Sequence, residues 1–133
     1  MPTYKLIIEY DGTNYAGWQR QPNQTSIQSK LEDALFQISQ KPTKTIASGR
    51  TDAGVHAFAQ VVSFRSDKSL SPGEWTRALN GVLPKDICVH QTKQVSDSFH
   101  ARHNTKCKTY EYRILNHPIR PVLDRFRIWH IPR

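Results

Sequence analysis

The chain has 133 residues, a length that suits one compact domain with a hydrophobic core. The hydrophobic share of 37% is spread along the chain, which argues against wholesale disorder, and no apolar stretch approaches the length of a membrane span. We therefore expect a cytoplasmic location. The formal net charge is +8, from 19 basic and 11 acidic residues.

The positive charge is concentrated toward the end of the chain. Residues 99–133 contain eight Lys or Arg against two acidic residues, and tyrosines lie among them. A basic segment that carries aromatic side chains is typical of a protein that binds a phosphate backbone. An ordinary solvated basic face is the alternative interpretation.

The first half of the chain predicts a strand, a helix and two more strands. Residues 4–10 alternate and are rich in Ile and aromatics, which predicts a strand. A long loop, 13–23, carries Tyr15 and Trp18, either to stack on bases or to pack beneath the loop. Thr25 and Gln28 resemble a capping box that begins a helix to about residue 40. Strands are predicted at 43–48 and 58–65, with a glycine-bracketed loop, 49–56, between them.

The second half predicts a helix and three strands. Ser71, Pro72 and Glu74 form a strong helix start, because Ser can cap, Pro fits the first helical position and Glu completes the box. Gly81 and Pro84 end this helix, and strands are predicted at 87–95, 108–116 and 126–131.

The order of these elements predicts the fold. Four strands and two helices in the order βαββαβ indicate an α+β, ferredoxin-like plan (an α/β plait), an antiparallel sheet with both helices on one face. We expect residues 1–98 to form this subdomain and to carry the loop 49–56. Residues 99–133 then form a basic strand segment that leads toward a C-terminal subdomain, and we expect the chain to be a shortened form without it.

The loop 49–56, Gly-Arg-Thr-Asp-Ala-Gly-Val-His, is the most informative motif. Arg50 and Asp52 are two positions apart, so an extended backbone aims both side chains the same way. A carboxylate beside a guanidinium stays ionised and suits a nucleophile or a base acting on an anionic substrate. The alternative is a structural Arg–Asp pair that fixes a surface loop. We expect His56 to fix the loop by hydrogen bonds rather than to act as a general base.

Other candidate residues have structural interpretations. Cys88 and Cys107 belong to no CxxC pair, so the spacing does not support zinc, and Cys88 is expected to be a small core residue. His100 and His103 have no third ligand nearby in the sequence. We expect no metal.

Four blocks, in the same order, resemble the tRNA pseudouridine synthase A family. The blocks are residues 9–20, residues 49–56, residues 80–87 (with Gly81 where the family usually has another residue), and Phe99-His-Ala-Arg102 together with Tyr110-Glu-Tyr112. The resemblance implies the pseudouridine synthase fold. It also implies an enzyme that isomerises uridine to pseudouridine in the anticodon stem-loop of tRNA, at positions ~38–40, after the base leaves its stack. It further implies a homodimer.

The resemblance also assigns residues. It implies that Asp52 is the catalytic aspartate and that Arg50 pairs with it and helps displace the base. Tyr110 matches the tyrosine that packs against the target uridine, and Arg102 matches a basic position that meets the RNA. Lys108 falls where the family often has Arg.

The expected chemistry needs no cofactor, because the isomerisation involves no redox change. Asp52 could attack C1′ of the ribose or remove a ribose proton, and the sequence does not choose between these. A non-catalytic RNA-binding module and an inactive N-terminal fragment stay open as alternatives. A metal-dependent nuclease is disfavoured, since no second carboxylate lies close to Asp52 in the sequence.

Overall fold

A computed structural model describes residues 1–104 and 106–132. Its helices and strands are β1 (Thr3–Tyr10), α1 (Ile27–Ser39), β2 (Thr45–Ala47), β3 (Ala57–Arg65), α2 (Pro72–Val82), β4 (Ile87–Val95), β5 (Ile114–Asn116) and β6 (Trp129–Ile131). The main feature is a four-stranded antiparallel sheet in the order β2-β3-β1-β4, which is the ferredoxin-like arrangement predicted from the element order. Neither α1 nor α2 has the length and apolar character that crossing a bilayer requires.

The core lies between the helices and one face of the sheet. Every second residue of the central strand β1 is buried, from Tyr4 to Tyr10, and these side chains face the helices. Tyr4 and Phe64 stack at 5.3 Å between ring centroids, and Trp75 of α2 packs edge-on against Phe64 at 5.2 Å. The opposite face of β1 carries Lys5, Ile7 and Glu9, which are only partly covered or exposed.

The start of α2 is confirmed, whereas the predicted start of α1 is off by one residue. Ser71 and Glu74 form the expected capping box. In α1 the cap is Ser26, paired with Ser29, rather than Thr25 with Gln28. The side chain of Gln28 instead accepts from the amide of Arg20 and donates to the carbonyl of Thr45. It is therefore engaged in long-range contacts and cannot close a capping box.

The last two strands are shorter than predicted. Within the described residues, β5 and β6 cover three residues each and form a separate parallel pair. Residues 106–113 adopt no regular strand, although a strand was predicted at 108–116. The side chains of Tyr110, Tyr112 and Ile114, which would share one face of that strand, are all exposed, and Tyr112 is 85% exposed.

Candidate active site

The loop 49–56 connects β2 to β3 and is held by hydrogen bonds to β1 and to the long loop that follows it. The carbonyl of Thr51 accepts from the amide of Trp18 at 3.0 Å, and its hydroxyl lies 2.7 Å from the buried phenol oxygen of Tyr10. The amide of Gly54 donates to the carbonyl of Tyr15 at 3.3 Å. The backbone on either side of Asp52 is therefore fixed to the core.

Two glycines, Gly17 in the long loop and Gly12 just before it, allow the loop 49–56 to approach this closely. A Cβ at Gly17 would lie 2.6 Å from the Thr51 carbonyl oxygen, and Gly17 has φ +85°, a conformation that other residues rarely adopt. A Cβ at Gly12 would lie 2.0 Å from the Val55 carbonyl oxygen. Trp18 and Tyr15 are buried, so of the two roles left open for them the structure supports packing beneath the loop.

Asp52 is exposed and makes no ion pair with Arg50. Among the residues that the structure describes, no basic group lies within 4.0 Å of the Asp52 carboxylate. The expectation that both side chains point the same way assumed strand geometry, but residues 50–52 lie outside β2 and β3. The Asp52 carboxylate is thus presented to solvent from an anchored loop.

Arg50 and Arg102 come together at a small cavity. Both line a space of about 180 Å³ together with Trp18, Gln19, Gln28, Thr45, Ile46 and Ala47. No carboxylate is among these lining residues, but the Glu32 carboxylate accepts from the amide and the hydroxyl of Thr45 at 2.9 Å, so the pair of arginines has a negative charge nearby. Such a pair suits an anion, and Arg binds phosphate with two donors at once. Buried Ala101, whose amide donates to the hydroxyl of Ser63 at 3.4 Å, fixes the chain beside Arg102.

Lys108 and Tyr110 reach the same region from residues 106–113. The side chain of Lys108 passes over Gly49, since a Cβ at Gly49 would lie 3.5 Å from Lys108 Cε and Nζ. Burial raises the pKa of the Tyr10 phenol, hydrogen bonds from Thr51 and Gln60 oppose that shift, and the nearby phenol of Tyr110 adds to it. Tyr110 itself is 66% exposed, so its ring is free to contact a ligand.

A polar connection that the sequence did not predict joins this region to the end of the chain. Arg127 Nη2 lies 3.3 Å from Asp11 Oδ2. His56 Nδ1 lies 2.9 Å from the amide nitrogen of Gly12 and 3.2 Å from Asp11 Oδ1, and its Nε2 lies 2.8 Å from the carbonyl oxygen of Phe126. The expectation that His56 fixes the loop by hydrogen bonds is confirmed.

Asp11 is a further member of this connection. The hydroxyl of Thr13 lowers the pKa of the Asp11 carboxyl, and the amide of Thr13, His56 and Arg127 act in the same direction. No local pattern indicates a partner 116 positions away along the chain.

Comparison with known proteins identifies the family of this chain. The family model described as tRNA pseudouridine synthase matches residues 6–104, about three quarters of the chain. Among curated relatives, the tRNA pseudouridine synthase A of Caldicellulosiruptor saccharolyticus is 44% identical over 127 residues, which cover 96% of this chain and 52% of that protein.

Two further relatives show the same pattern of coverage. The tRNA pseudouridine synthase A 2 of Clostridium perfringens is 42% identical over 133 residues, covering 100% of this chain and 54% of that protein. The tRNA pseudouridine synthase A of Aeromonas hydrophila is 48% identical over 118 residues, covering 89% of this chain and 44% of that protein. The chain thus spans about half the length of the curated relatives it matches, and it belongs to the tRNA pseudouridine synthase family.

Proposed function

We propose that this chain carries the catalytic aspartate of a tRNA pseudouridine synthase that isomerises uridine to pseudouridine in the anticodon stem-loop, at positions ~38–40. The observation that supports this most directly is the exposed Asp52 carboxylate on an anchored loop. Arg50, Arg102, Lys108 and Tyr110 lie around that loop, and none of the first three is bound in an ion pair within the described residues.

The isomerisation exchanges one bond for another on the same ribose carbon. The N1–C1′ bond of uridine breaks, the uracil turns, and a C5–C1′ bond forms, while C5 loses a proton and N1 gains one. Asp52 can attack C1′ and later be displaced by C5, or it can remove a ribose proton as a base. Either role needs a carboxylate that the substrate can reach, and Asp52 is exposed.

The basic side chains and the tyrosine suit the binding of an extruded nucleotide. We assign a backbone phosphate to the cavity between Arg50 and Arg102, because it offers two guanidinium groups and no carboxylate. Lys108, which lies across Gly49, supplies a further positive charge beside the loop. The exposed ring of Tyr110 supplies a face on which the displaced uracil can stack.

Partner and cellular location belong to the same proposal. The names of the curated relatives support tRNA as the substrate and therefore the cytoplasm as the location. We further propose a homodimer, without an organic cofactor and with no metal in the chemical step. Sedimentation of the purified chain with and without tRNA measures the assembly state.

Tritium release from tRNA labelled at C5 of uridine tests the catalytic role. The unmodified chain is expected to release tritium, whereas Asp52→Ala and Asp52→Asn release none above background and still bind tRNA. Asp33→Asn, on the exposed face of α1, is the matched control and should behave as the unmodified protein. Equal release by the chain with and without Asp52 contradicts the proposal, and so does the absence of release by the unmodified chain.

A non-catalytic RNA-binding module is the second candidate. The cavity between Arg50 and Arg102 favours it, because an anion site alone is sufficient for binding RNA. In that case the unmodified chain binds tRNA without releasing tritium, and Asp52→Ala leaves every measured property unchanged.

A further inference from the structure

An irregularity in the β1–β4 ladder places one residue out of register. Ile7 pairs with Gln91 and Ile8 pairs with Val89, so His90 is an additional residue on β4 with no partner position on β1. A β-bulge of this kind bends the strand and redirects a side chain. Here the redirected side chain is that of His90, whose Nε2 lies 2.7 Å from Glu9 Oε1.

The bulge brings three potential metal ligands together. Cys88 lies directly opposite Glu9 in the ladder. Cys88 Sγ, a Glu9 carboxylate oxygen and a His90 ring nitrogen all lie within 4.8 Å of one another, and within the described parts of the chain no other three such residues meet this criterion. Cys88, expected in the core, instead lies half-buried beside Glu9 on the face of β1 and β4 that the helices leave uncovered.

We propose that Glu9, Cys88 and His90 form a Zn²⁺ site that joins β1 to β4. Thiolate, imidazole and carboxylate together are a ligand set that zinc accepts, at about 2.3 Å for sulfur and about 2.0–2.2 Å for nitrogen and oxygen. Mg²⁺ and Ca²⁺ prefer oxygen ligands throughout, so the thiol and the imidazole disfavour them.

The exposure of the cluster suits entry of the ion. The side chains of Glu9 and His90 are 47% and 51% exposed, which leaves space for water as a fourth ligand. The hydrogen bond between His90 and Glu9 is replaced when both bind the ion. Because Glu9 and His90 are 81 positions apart, no short sequence spacing predicts this site.

The site is structural and is independent of the proposed function. Glu9 precedes Tyr10, whose side chain points to the opposite face of the sheet and contacts Thr51 of the loop. An ion bound at Glu9 therefore fastens the edge strand β4 to the central strand without touching Asp52. The chain can therefore fail to bind Zn²⁺ and still release tritium from tRNA, or bind Zn²⁺ without releasing tritium.

Metal binding to the folded 133-residue chain tests the proposal. Zn²⁺ titrated against a competing chelator is expected to bind in a 1:1 ratio with micromolar or tighter affinity, and to raise the melting temperature. Co²⁺ as a probe is expected to give a thiolate-to-cobalt charge-transfer band. Cys88→Ser and His90→Gln should each weaken Zn²⁺ binding by at least about tenfold, and Cys88→Ser should abolish the band.

The chain offers matched controls for both ligand types. Cys107→Ser removes the other thiol, which is exposed, and His100→Gln with His103→Gln removes a pair of imidazoles that stack at 4.1 Å between ring centroids. Both controls should keep Zn²⁺ affinity and the cobalt band. Loss of binding in either control, unchanged affinity in Cys88→Ser or His90→Gln, or no micromolar binding by the unmodified chain overturns the proposal. Circular dichroism without metal confirms that each variant is folded.

Discussion

The phenol oxygen of Tyr10 and the hydroxyl of Thr51 lie 2.7 Å apart, and this contact fixes the residue before Asp52 to the central strand of the sheet. Tyr10 is only 2% exposed, and burial raises the pKa of its phenol. The phenol therefore stays protonated at neutral pH, and it can donate a hydrogen bond to the Thr51 hydroxyl or accept one from it.

Replacing Thr51 by Val is expected to destabilise the protein by about 1 kcal/mol, because the buried phenol loses its closest partner while the shape is kept. Urea denaturation measures the change, and a cycle with Tyr10→Phe should give a coupling energy of about 0.5–1.5 kcal/mol. Thr109→Val, at an exposed position, is the control and should be neutral. Full additivity of the two changes would show that the contact contributes nothing.

Alanine at two glycines should shift stability in opposite directions. Gly12→Ala places a Cβ against the Val55 carbonyl and should cost about 1–3 kcal/mol, since backbone on both sides must move. Gly81→Ala, in the last turn of α2, meets no atom within 4 Å and should stabilise by about 0.5–1 kcal/mol. Chemical denaturation compares the two variants. A stabilising Gly12→Ala would contradict the close packing of the two loops.

Acid should remove the stabilisation that Asp11 provides. The pKa of its carboxyl is lowered in the folded state, chiefly by the hydroxyl of Thr13. The stabilisation is therefore fully present above the unfolded pKa of about 4 and is lost as the pH falls through the lower folded pKa. Asp11→Asn should be less stable than the unmodified chain at pH 7, by no more than about 1 kcal/mol because the carboxylate is partly exposed.

The free energies of unfolding at neutral and at acid pH, measured for both proteins, check this expectation. The difference between them should shrink as the pH falls. Asp33→Asn, whose side chain is 71% exposed, serves as the control and should show little difference at either pH. A difference that grows toward low pH would have the wrong sign.

The salt dependence of tRNA binding should report the cavity between Arg50 and Arg102. Each Arg→Ala substitution there should reduce the slope of log affinity against log salt by about 1, because one phosphate contact is lost. Lys30→Ala, on the exposed side of α1, should leave the slope unchanged. Filter binding over a range of salt concentrations measures all three. Equal slopes for every variant would place the phosphate elsewhere.

Elements whose start and end depend on residues close together in the sequence could be predicted from the sequence alone. The capping box of α2 and the bounds of β4 follow from residues within a few positions of one another, and the sheet order follows from the order of elements. The loop 49–56 was recognisable for the same reason.

The remaining features depend on distant partners. The start of α1 shifts because the carbonyls of Gly17 and Trp18 accept from the amides of Ile27 and Gln28. The contact between Asp11 and Arg127 joins residues 116 positions apart. Arg50 and Asp52 form no ion pair, and they lie between β2 and β3, where the alternation of side chains along a strand does not apply.

The candidate site is built from two parts that are attached with unequal strength. Asp52 and Arg50 sit on a loop packed against buried Tyr10 and Trp18, whereas residues 106–132 meet that loop largely through polar contacts and keep Phe126 and Trp129 exposed. Because these large hydrophobic side chains are already exposed, we expect detachment of that segment to require less free energy than unfolding of the sheet. A nucleic acid that contacts both parts should therefore slow hydrogen exchange first at the backbone amides of residues 106–132. Its net binding free energy should be smaller by the free energy needed to hold that segment in place.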